Sequence, residues 1–132
     1  METPVNYVPS DKFDIAAVQR LEALSDDELR SVIPDLLTWL QDSNWPVADP
    51  LADFLTKHRE TVEPFLSPLL LAEQKDEIWK YEIINQLLKK WGNAVSDEIK
   101  KEISRIISSP TQGEVSEFVQ DKAKELAEAF SK

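Results

Sequence analysis

Carboxylates are the side chains of this chain that offer the most chemistry. The sequence has 25 Asp and Glu residues against 15 Lys and Arg residues, a net charge of -10. Residues 22–54 contain eight acids and one base, a net charge of -7. Paired carboxylates can act as general acids and bases, and an acidic surface can bind a basic partner. The candidate partner-binding residues are Glu28, Asp35, Trp39, Asp42, Asp49 and Asp53.

Two spacings single out acids of this candidate face. Glu28 and Asp35 are seven residues apart and share one side of a helix, and Asp49 and Asp53 form a like-charged i,i+4 pair that costs a few tenths of a kcal/mol. Because no nearby positive charge is evident in the sequence to offset this repulsion, the pair favours a partner outside the chain. A basic protein fits better than a metal ion, because no oxygen-rich calcium loop is present. The plainer alternative is a solvated acidic surface.

Trp39 is the aromatic member of the candidate face. It lies off the apolar stripe that Leu36, Leu37 and Leu40 form on the same predicted helix. We therefore expect Trp39 either to pack between helix pairs or to be an exposed contact residue, and an exposed tryptophan is a strong hot-spot candidate.

Other reactive side chains are scarce. The chain has no cysteine, one histidine (His58) and neither a glycine-rich phosphate loop nor a nucleophile turn. Thiolate chemistry and a multi-histidine metal site are thereby excluded, and a catalytic triad has no support. We expect no catalytic residue, no cofactor and no metal. The alternative is a small-molecule binder or hydrolase that uses a groove between helix pairs, with Trp45, His58 and Trp79 beside it.

The charge balance also bears on partners and location. A chain of charge -10 repels nucleic-acid phosphates and anionic lipid headgroups, so we expect neither nucleic acid nor membrane as a partner. No apolar run approaches the roughly 18 residues that span a bilayer, and the N-terminus lacks the features of a signal peptide. We predict a cytoplasmic protein whose partner is another protein, with a homodimer as an alternative.

The elements that position these residues are predicted to be helices. Only two glycines occur and strict apolar alternation is absent, so strands have little support. We expect one domain over residues 1–132, with residues 1–12 as an extended lead-in to a helix from about Asp14 to Leu24. Ser25 to Glu28 is a capping box that starts a second helix. This helix should kink or break at Pro34 and end near Gln41.

The segment QDSNWPVADP, residues 41–50, is interpreted as the turn into the next helix. The residue before a proline avoids the helical region, so Trp45 is predicted at the N-cap and Pro46 at the first helical position. Asp42, Ser43 and Asn44 are then expected to accept the free amides of the helix start. Ligand binding is the alternative for this segment.

Further apolar stripes follow along the chain. They predict a helix to about His58, a segment over residues 62–70, a helix over residues 78–91 that Gly92 ends, and helices over residues 95–107 and 115–130. Trp45 and Trp79, 34 residues apart, mark two similar helix pairs. A period in this range is typical of helical-repeat proteins. We predict an all-α, HEAT-like stack of one capping helix plus about three antiparallel helix pairs.

Four segments of the chain resemble, in order, a bacterial family known as domain of unknown function 5071. They are YVPSDKFD, LRSVIPDLLTWLQDSNWPVADPLADFL, IWKYEIINQLL and RIISSPTQGEVSEFVQDKAKELA, and they cover the chain from about Tyr7 to Ala127. The resemblance implies a small HEAT-like helical-repeat fold and no catalytic residue. We expect a non-enzymatic binding module that uses the acidic face, of the immunity or regulatory type, with fast electrostatic association with a basic protein.

Overall fold

The computed structural model describes residues 7–130, and these residues form helices and connecting turns without a strand. The α-helices are α1 (Ile15–Leu21), α2 (Asp26–Thr38), α3 (Ala48–Thr56), α4 (Arg59–Val62), α5 (Glu77–Ile83), α6 (Lys89–Trp91), α7 (Asp97–Ser108), α8 (Gln112–Ser116) and α9 (Val119–Phe130). A π-helical turn, Ile84–Leu88, joins α5 to α6 without interruption. Residues 77–91 thus form one continuous helix. The all-α prediction is confirmed.

The first helix starts where its capping residue predicts. Asp14 is the N-cap of α1, and its side chain accepts hydrogen bonds from the backbone amides of Ser10 and Ala17. The helix ends at Leu21, earlier than the expected Leu24. Residues 7–12 form bends and turns rather than the extended lead-in that was predicted, because Asp11 and Asp14 draw the local amides into turns. Residues 1–6 of that lead-in lie outside the described part of the chain.

Helix α2 confirms the predicted capping box. The Ser25 side chain accepts from the Glu28 amide, and the Glu28 carboxylate accepts from the Ser25 amide. Pro34 does not interrupt the helix, contrary to a predicted break. Because proline has no amide hydrogen, the Arg30 carbonyl loses its helical partner. Both residues are exposed, so water can replace the missing hydrogen bond. The helix ends at Thr38, with Trp39 as its C-cap.

The turn after α2 differs from its predicted form. Helix α3 begins at Ala48 with Val47 as N-cap, so neither Trp45 nor Pro46 is in the predicted place. Val47 has no side-chain acceptor, and its own amide donates to the Lys12 carbonyl over 2.9 Å. The predicted capping by side chains of residues 42–44 does not occur at this helix start. The chain segment before α1 supplies the acceptor instead.

Side chains of the 77–91 helix hold this turn in place. The Trp79 indole donates to the Leu37 carbonyl over 2.9 Å, and the Gln86 amide donates to the Leu40 carbonyl over 3.0 Å. The Glu82 carboxylate accepts from the Ser43 amide over 2.9 Å. Two carbonyls at or just after the end of α2, where helical partners run out, are thereby satisfied by a distant helix.

Two predicted helices are divided. The segment over residues 62–70 consists of the end of α4 and the 3-10 helices Glu63–Phe65 and Ser67–Leu70, and Pro64 and Pro68 lie at the starts of these short turns. The last predicted helix, residues 115–130, is split into α8 and α9. The split occurs at Phe118, whose φ of 65° is incompatible with a right-handed helix.

Helices two steps apart along the chain pack against each other. Helix α1 contacts α3, α3 contacts the 77–91 helix, and that helix contacts α9. On the other side α2 contacts α4, and the 3-10 turn Ser67–Leu70 contacts α7. Helices α7 and α9 pack across the two rows. The buried stripes of both rows meet in one apolar core that runs from Val18 to Leu126.

The contact between Glu82 and Ser43 gives a test of this packing. Glu82 is buried, and its loss would leave the Ser43 amide without its acceptor. We expect Glu82→Ala to lower the free energy of unfolding by about 1–3 kcal/mol, measured by urea denaturation. The control is Glu73→Ala, because Glu73 is exposed. Equal stabilities of the two variants would contradict the role given to Glu82.

Candidate functional site

Part of the predicted acidic face is engaged in local structure. The Glu28 carboxylate belongs to the capping box of α2, and the hydrogen bond from the Ser25 amide, followed by that from the Ser25 hydroxyl, lowers the pKa of Glu28. The Asp42 carboxylate accepts from the Asn44 amide over 2.8 Å. Asp35 is exposed on the outer side of α2. Asp35 is therefore freer to meet a partner than Glu28 or Asp42.

The acids on α3 have a local compensation that the sequence did not reveal. The Lys90 ammonium lies 2.8 Å from the Asp53 carboxylate, which offsets the like-charge cost of Asp49 and Asp53. That cost is therefore no longer an argument for an outside partner. Asp49 is exposed. Glu28 and Asp35 lie on α2, which packs on α4, whereas Asp49 and Asp53 lie on α3, which packs on α1 and the 77–91 helix.

Trp39 takes the packed alternative of the two that the sequence left open. Its ring meets Trp45 edge to face, with centroids 5.6 Å apart, and both rings pack partly buried against the core. Such a pair closes the corner between α2 and α3. Trp39 is thus half-buried rather than fully exposed.

The α1–α3 groove is a largely apolar surface depression near these acids. It has a volume of about 330 Å³, with an apolar wall formed by Ile15, Val18, Pro50 and Phe54. Glu22, Asp53 and Lys57 line the same groove. Phe13, just before α1, is 65% exposed and Ile15 is 40% exposed. Neither residue was predicted as a site residue. The sequence did contain a signal, because two apolar residues on either side of the N-cap Asp14 cannot both lie on one helical stripe.

The alternative groove does not form as predicted. Trp45 and Trp79 lie near the C-terminal end of α2. Trp45 contacts the ring of Trp39, and the Trp79 indole donates to the Leu37 carbonyl. His58 lies near Asp26 at the N-terminal end of α2, and the two ends of a 13-residue helix are roughly 18 Å apart. The structure therefore does not bring Trp45 and Trp79 to His58.

His58 lines a different cleft, of about 440 Å³. Asp26, Lys57, Arg59 and Trp91 are among its other lining residues. The imidazole packs on Phe54 with ring centroids 4.6 Å apart. The cleft is polar, with charged side chains of both signs, and is suited to a small charged molecule rather than to an apolar one.

A buried charge network was not predicted from the sequence. Lys80 and Glu114 are both 0% exposed, and the Lys80 Nζ lies 2.7 Å from a Glu114 carboxylate oxygen. Arg105 donates to both oxygens of Glu114, over 3.0 and 2.7 Å. Lys80 also donates to the Leu71 carbonyl and Arg105 to the Leu70 carbonyl, each over 3.0 Å. The network thus ties α5, α7 and α8 to the turn at residues 70 and 71.

The local structure of α8 places Glu114 at the centre of this network. Thr111 and Glu114 form a capping box at the start of α8, so one carboxylate oxygen also accepts from the Thr111 amide. A Cβ at Gly113 would collide with the carboxylate of Glu77, which itself lies 3.3 Å from Lys80. Glycine at this position therefore allows α8 to approach α5 closely.

The electrostatics of Glu114 follow from this geometry. Burial raises the pKa of Glu114, but the hydrogen bonds from Arg105 and Lys80 outweigh it and lower the pKa from 4.5 to about 2. The hydrogen bond to Glu114 raises the pKa of Arg105, and burial opposes part of this rise. Glu114 and Arg105 are therefore charged at neutral pH. The Glu114 carboxylate accepts four hydrogen bonds and has no open position for a substrate.

The sequence carried two signals for this network. Thr111 and Glu114 match the capping-box pattern, and Lys80 falls on the same helical stripe as Ile83, Ile84 and Leu87, where a charge needs a partner. The partner itself, Arg105, comes from α7 and is fixed only by the tertiary fold. No group of three His, Asp or Glu residues within residues 7–130 is arranged to hold a metal ion. No helix of that range is long and apolar enough to cross a bilayer.

Comparison with known proteins identifies a family. A family model described as domain of unknown function (DUF5071) matches residues 7–127. No curated protein matches the chain.

Replacing Glu114 tests the network through its pH dependence. The carboxyl binds its proton near pH 4.5 when unfolded and near pH 2 when folded, so its stabilisation is complete above pH 4.5 and is lost as the pH falls toward 2. We expect Glu114→Gln to lower the free energy of unfolding at pH 7 by about 3 kcal/mol, because Lys80 loses its buried partner.

The pH profile separates this contribution from a general loss of packing. Urea denaturation between pH 2 and pH 4.5 should show a shallower rise of stability with pH for Glu114→Gln than for the unmodified protein. The control is Glu117→Gln, an exposed acid three residues away, which should keep the original slope. Identical slopes for all three proteins would show that Glu114 is not held charged by the network.

Proposed function

The chain belongs to the DUF5071 family, and we propose that it is a non-enzymatic module that binds a basic segment of another protein. The proposed contact surface is the α1–α3 groove together with the exposed acids beside it. The observation that carries the proposal is an apolar groove that includes the exposed Ile15 and that borders the acidic stretch of residues 22–54.

The apolar part of the surface supports a macromolecular partner. Ile15, 40% exposed, forms part of the apolar wall of the groove, and the exposed Phe13 lies two residues before it in the sequence. Exposed apolar side chains grouped in this way mark interaction sites more often than single scattered ones do. A groove between two helices accepts an apolar side chain, or one face of a helix, from the partner.

The charge around the groove supports a basic partner. Residues 22–54 carry a net charge of -7, and the groove itself is lined by Glu22 and Asp53 against one base, Lys57. Asp49 is exposed on the same helix as Asp53. Complementary charge accelerates association and fixes orientation more than it adds affinity. A segment with Lys or Arg residues flanking an apolar side chain fits this pattern. The same charge disfavours nucleic acid and membrane surfaces as partners.

The wider architecture supports the same assignment. We propose that the two rows of helices are a short HEAT-like α-solenoid, because helices two steps apart contact each other along both rows. Proteins of this architecture bind partners along extended surfaces rather than in closed catalytic pockets. A cytoplasmic bacterial protein of this kind would act as a regulatory or immunity-type partner that neutralises a basic protein.

A capture experiment with matched variants tests this proposal. The tagged protein is used as bait in a lysate of its own host at low and at high salt, and bound proteins are identified by mass spectrometry. We expect a stoichiometric basic protein that is lost at high salt and is also lost with Ile15→Glu. The control is Ile78→Glu, which places the same charge at another exposed isoleucine, outside the groove.

Charge reversal then tests the electrostatic part with the purified partner. Glu22→Lys and Asp49→Lys together should slow association at low salt by about tenfold and weaken its salt dependence. Glu73→Lys with Glu117→Lys gives the same change in net charge outside the groove and should have a smaller effect. Asp53 is left unchanged because it pairs with Lys90. Capture that survives Ile15→Glu, or equal rates for both charge variants, would refute the groove as the contact surface.

A small-molecule binder is the second candidate, favoured by the 440 Å³ cleft at His58. A thermal-shift screen against small charged metabolites tests it, because a ligand that binds only the folded state raises the melting temperature. We expect a hit from this cleft to lose its shift with His58→Ala and to keep it with Trp45→Phe, since Trp45 lies at the other end of α2. A screen without a hit would count against this candidate.

A further inference from the structure

The cleft at His58 lies where four helices begin or end. Its lining includes the first residues of α2 and α4 and the last residues of α3 and α6, which are Asp26, Arg59, Thr56 and Trp91. Helices α2 and α4 also pack against each other. The volume of about 440 Å³ falls within the range of roughly 300–1,000 Å³ that is usual for small-molecule sites.

The cleft presents acidic and basic side chains together. Two acids and three bases line it, which are Asp26, Glu60, Lys57, His58 and Arg59. Arg59 is already paired with Glu63 over 2.7 Å. Within residues 7–130, the side chains of Asp26, Glu60 and Lys57 make no hydrogen bond or ion pair. A ligand in the cleft therefore meets free carboxylates and a free basic group.

The hydroxyl group of Thr61 is the second sign of a ligand. Thr61 lines the cleft although only 8% of it is exposed. Its side chain makes no hydrogen bond to any other residue of the part of the chain that the structure describes. Polar groups buried to this extent are nearly always hydrogen-bonded, so an exception needs an explanation. A threonine hydroxyl can donate to a carboxylate, and a ligand carboxylate would supply its partner.

Trp91 gives the cleft one aromatic wall. The Trp91 Nε1 donates to the Thr56 carbonyl over 2.9 Å, and the half-buried ring packs against the core. This hydrogen bond and the packing fix the orientation of the ring. A fixed indole can hold an apolar or aromatic side chain of a ligand.

We propose that this cleft binds a free amino acid, a molecule that carries an ammonium group and a carboxylate group on one carbon. The inference rests on the second candidate function, the small-molecule cleft at His58, and names its ligand class. A simple anion is repelled by the free acids, and a simple cation by the free base, whereas an amino acid has a complement for both. Its ammonium pairs with Asp26 and Glu60, its carboxylate with Lys57 and Thr61, and its side chain packs on Trp91.

Isothermal titration calorimetry with the free L-amino acids tests the proposal. We expect binding of amino acids with apolar or aromatic side chains. The strongest binder is then compared with two analogues of the same side chain, one without the ammonium group and one without the carboxylate. For phenylalanine these are 3-phenylpropionate and phenethylamine. Each analogue should bind at least about tenfold more weakly, because it loses a charge-assisted contact and keeps the repulsion.

Thr61→Val locates the amino acid in the cleft. Lys57 is less suitable because it also lines the α1–α3 groove, whereas Thr61 lines the cleft and not the groove. Valine keeps the shape and removes a hydroxyl that has no partner in the described part of the fold, so the melting temperature should not fall. Affinity should fall about tenfold, the loss expected for one hydrogen bond to a charged group.

The matched control is Thr38→Val at the other end of α2. The Thr38 hydroxyl donates to the Asp35 carbonyl over 2.6 Å, and Thr38 is exposed, so this variant should bind as the unmodified chain does.

Three results would overturn the assignment of an amino acid. They are the absence of binding by any amino acid, equal binding of an analogue that lacks one charge, and unchanged affinity of Thr61→Val. A simple anion or cation whose thermal shift is lost with His58→Ala would overturn the amino acid assignment and support the small-molecule cleft. If no compound of either kind binds, both fail, and the capture experiment still decides the α1–α3 groove.

Discussion

The buried ammonium group of Lys80 is the constraint on which much of the structure depends. A charge with no exposed surface is tolerated only if it is paired and hydrogen-bonded, because its desolvation costs several kcal/mol. Glu114 supplies the opposite charge and the Leu71 carbonyl a second acceptor, while Arg105 donates to both oxygens of Glu114 and has its own ion pair with Glu102. Each partner comes from a different segment. The position of α8, α7 and the turn at residues 70 and 71 therefore follows from one side chain on α5.

The helix that carries Lys80 also organises the N-terminal half. Residues 77 and 80 lie on one side of the 77–91 helix, and residues 79, 82 and 86 lie on roughly the opposite side. The first set pairs with α7 and α8, and the second bonds the end of α2 and the turn that follows it. The π-helical turn Ile84–Leu88 falls where Gln86 reaches the Leu40 carbonyl. This helix therefore joins the two halves through polar contacts as well as through the core.

The features that the sequence predicted are those that local chemistry determines. The capping box at Ser25, the apolar stripe of α2 and the end of the 77–91 helix at Gly92 depend on neighbouring residues and were predicted correctly. The start of α3 was predicted wrongly, because the Val47 amide there donates to the Lys12 carbonyl, which is far away in the sequence. The break at Phe118 has no local signal, since glycine is the residue expected there. The pairing of Asp53 with Lys90 spans 37 residues, so its local compensation could not be read from spacing.

The charge network also holds the backbone at its border in place. Association costs entropy when flexible side chains and loops become ordered, and a surface that is already rigid avoids part of that cost. Val115 follows a glutamate held by three hydrogen-bonding groups, and Ile78 follows one that contacts the same lysine. These side chains are thus presented by backbone that cannot relax easily. The acidic α1–α3 groove has no such support, since its acids are exposed and its contribution is long-range attraction. A contact at the groove would therefore depend on long-range attraction more than on a rigid, preformed surface.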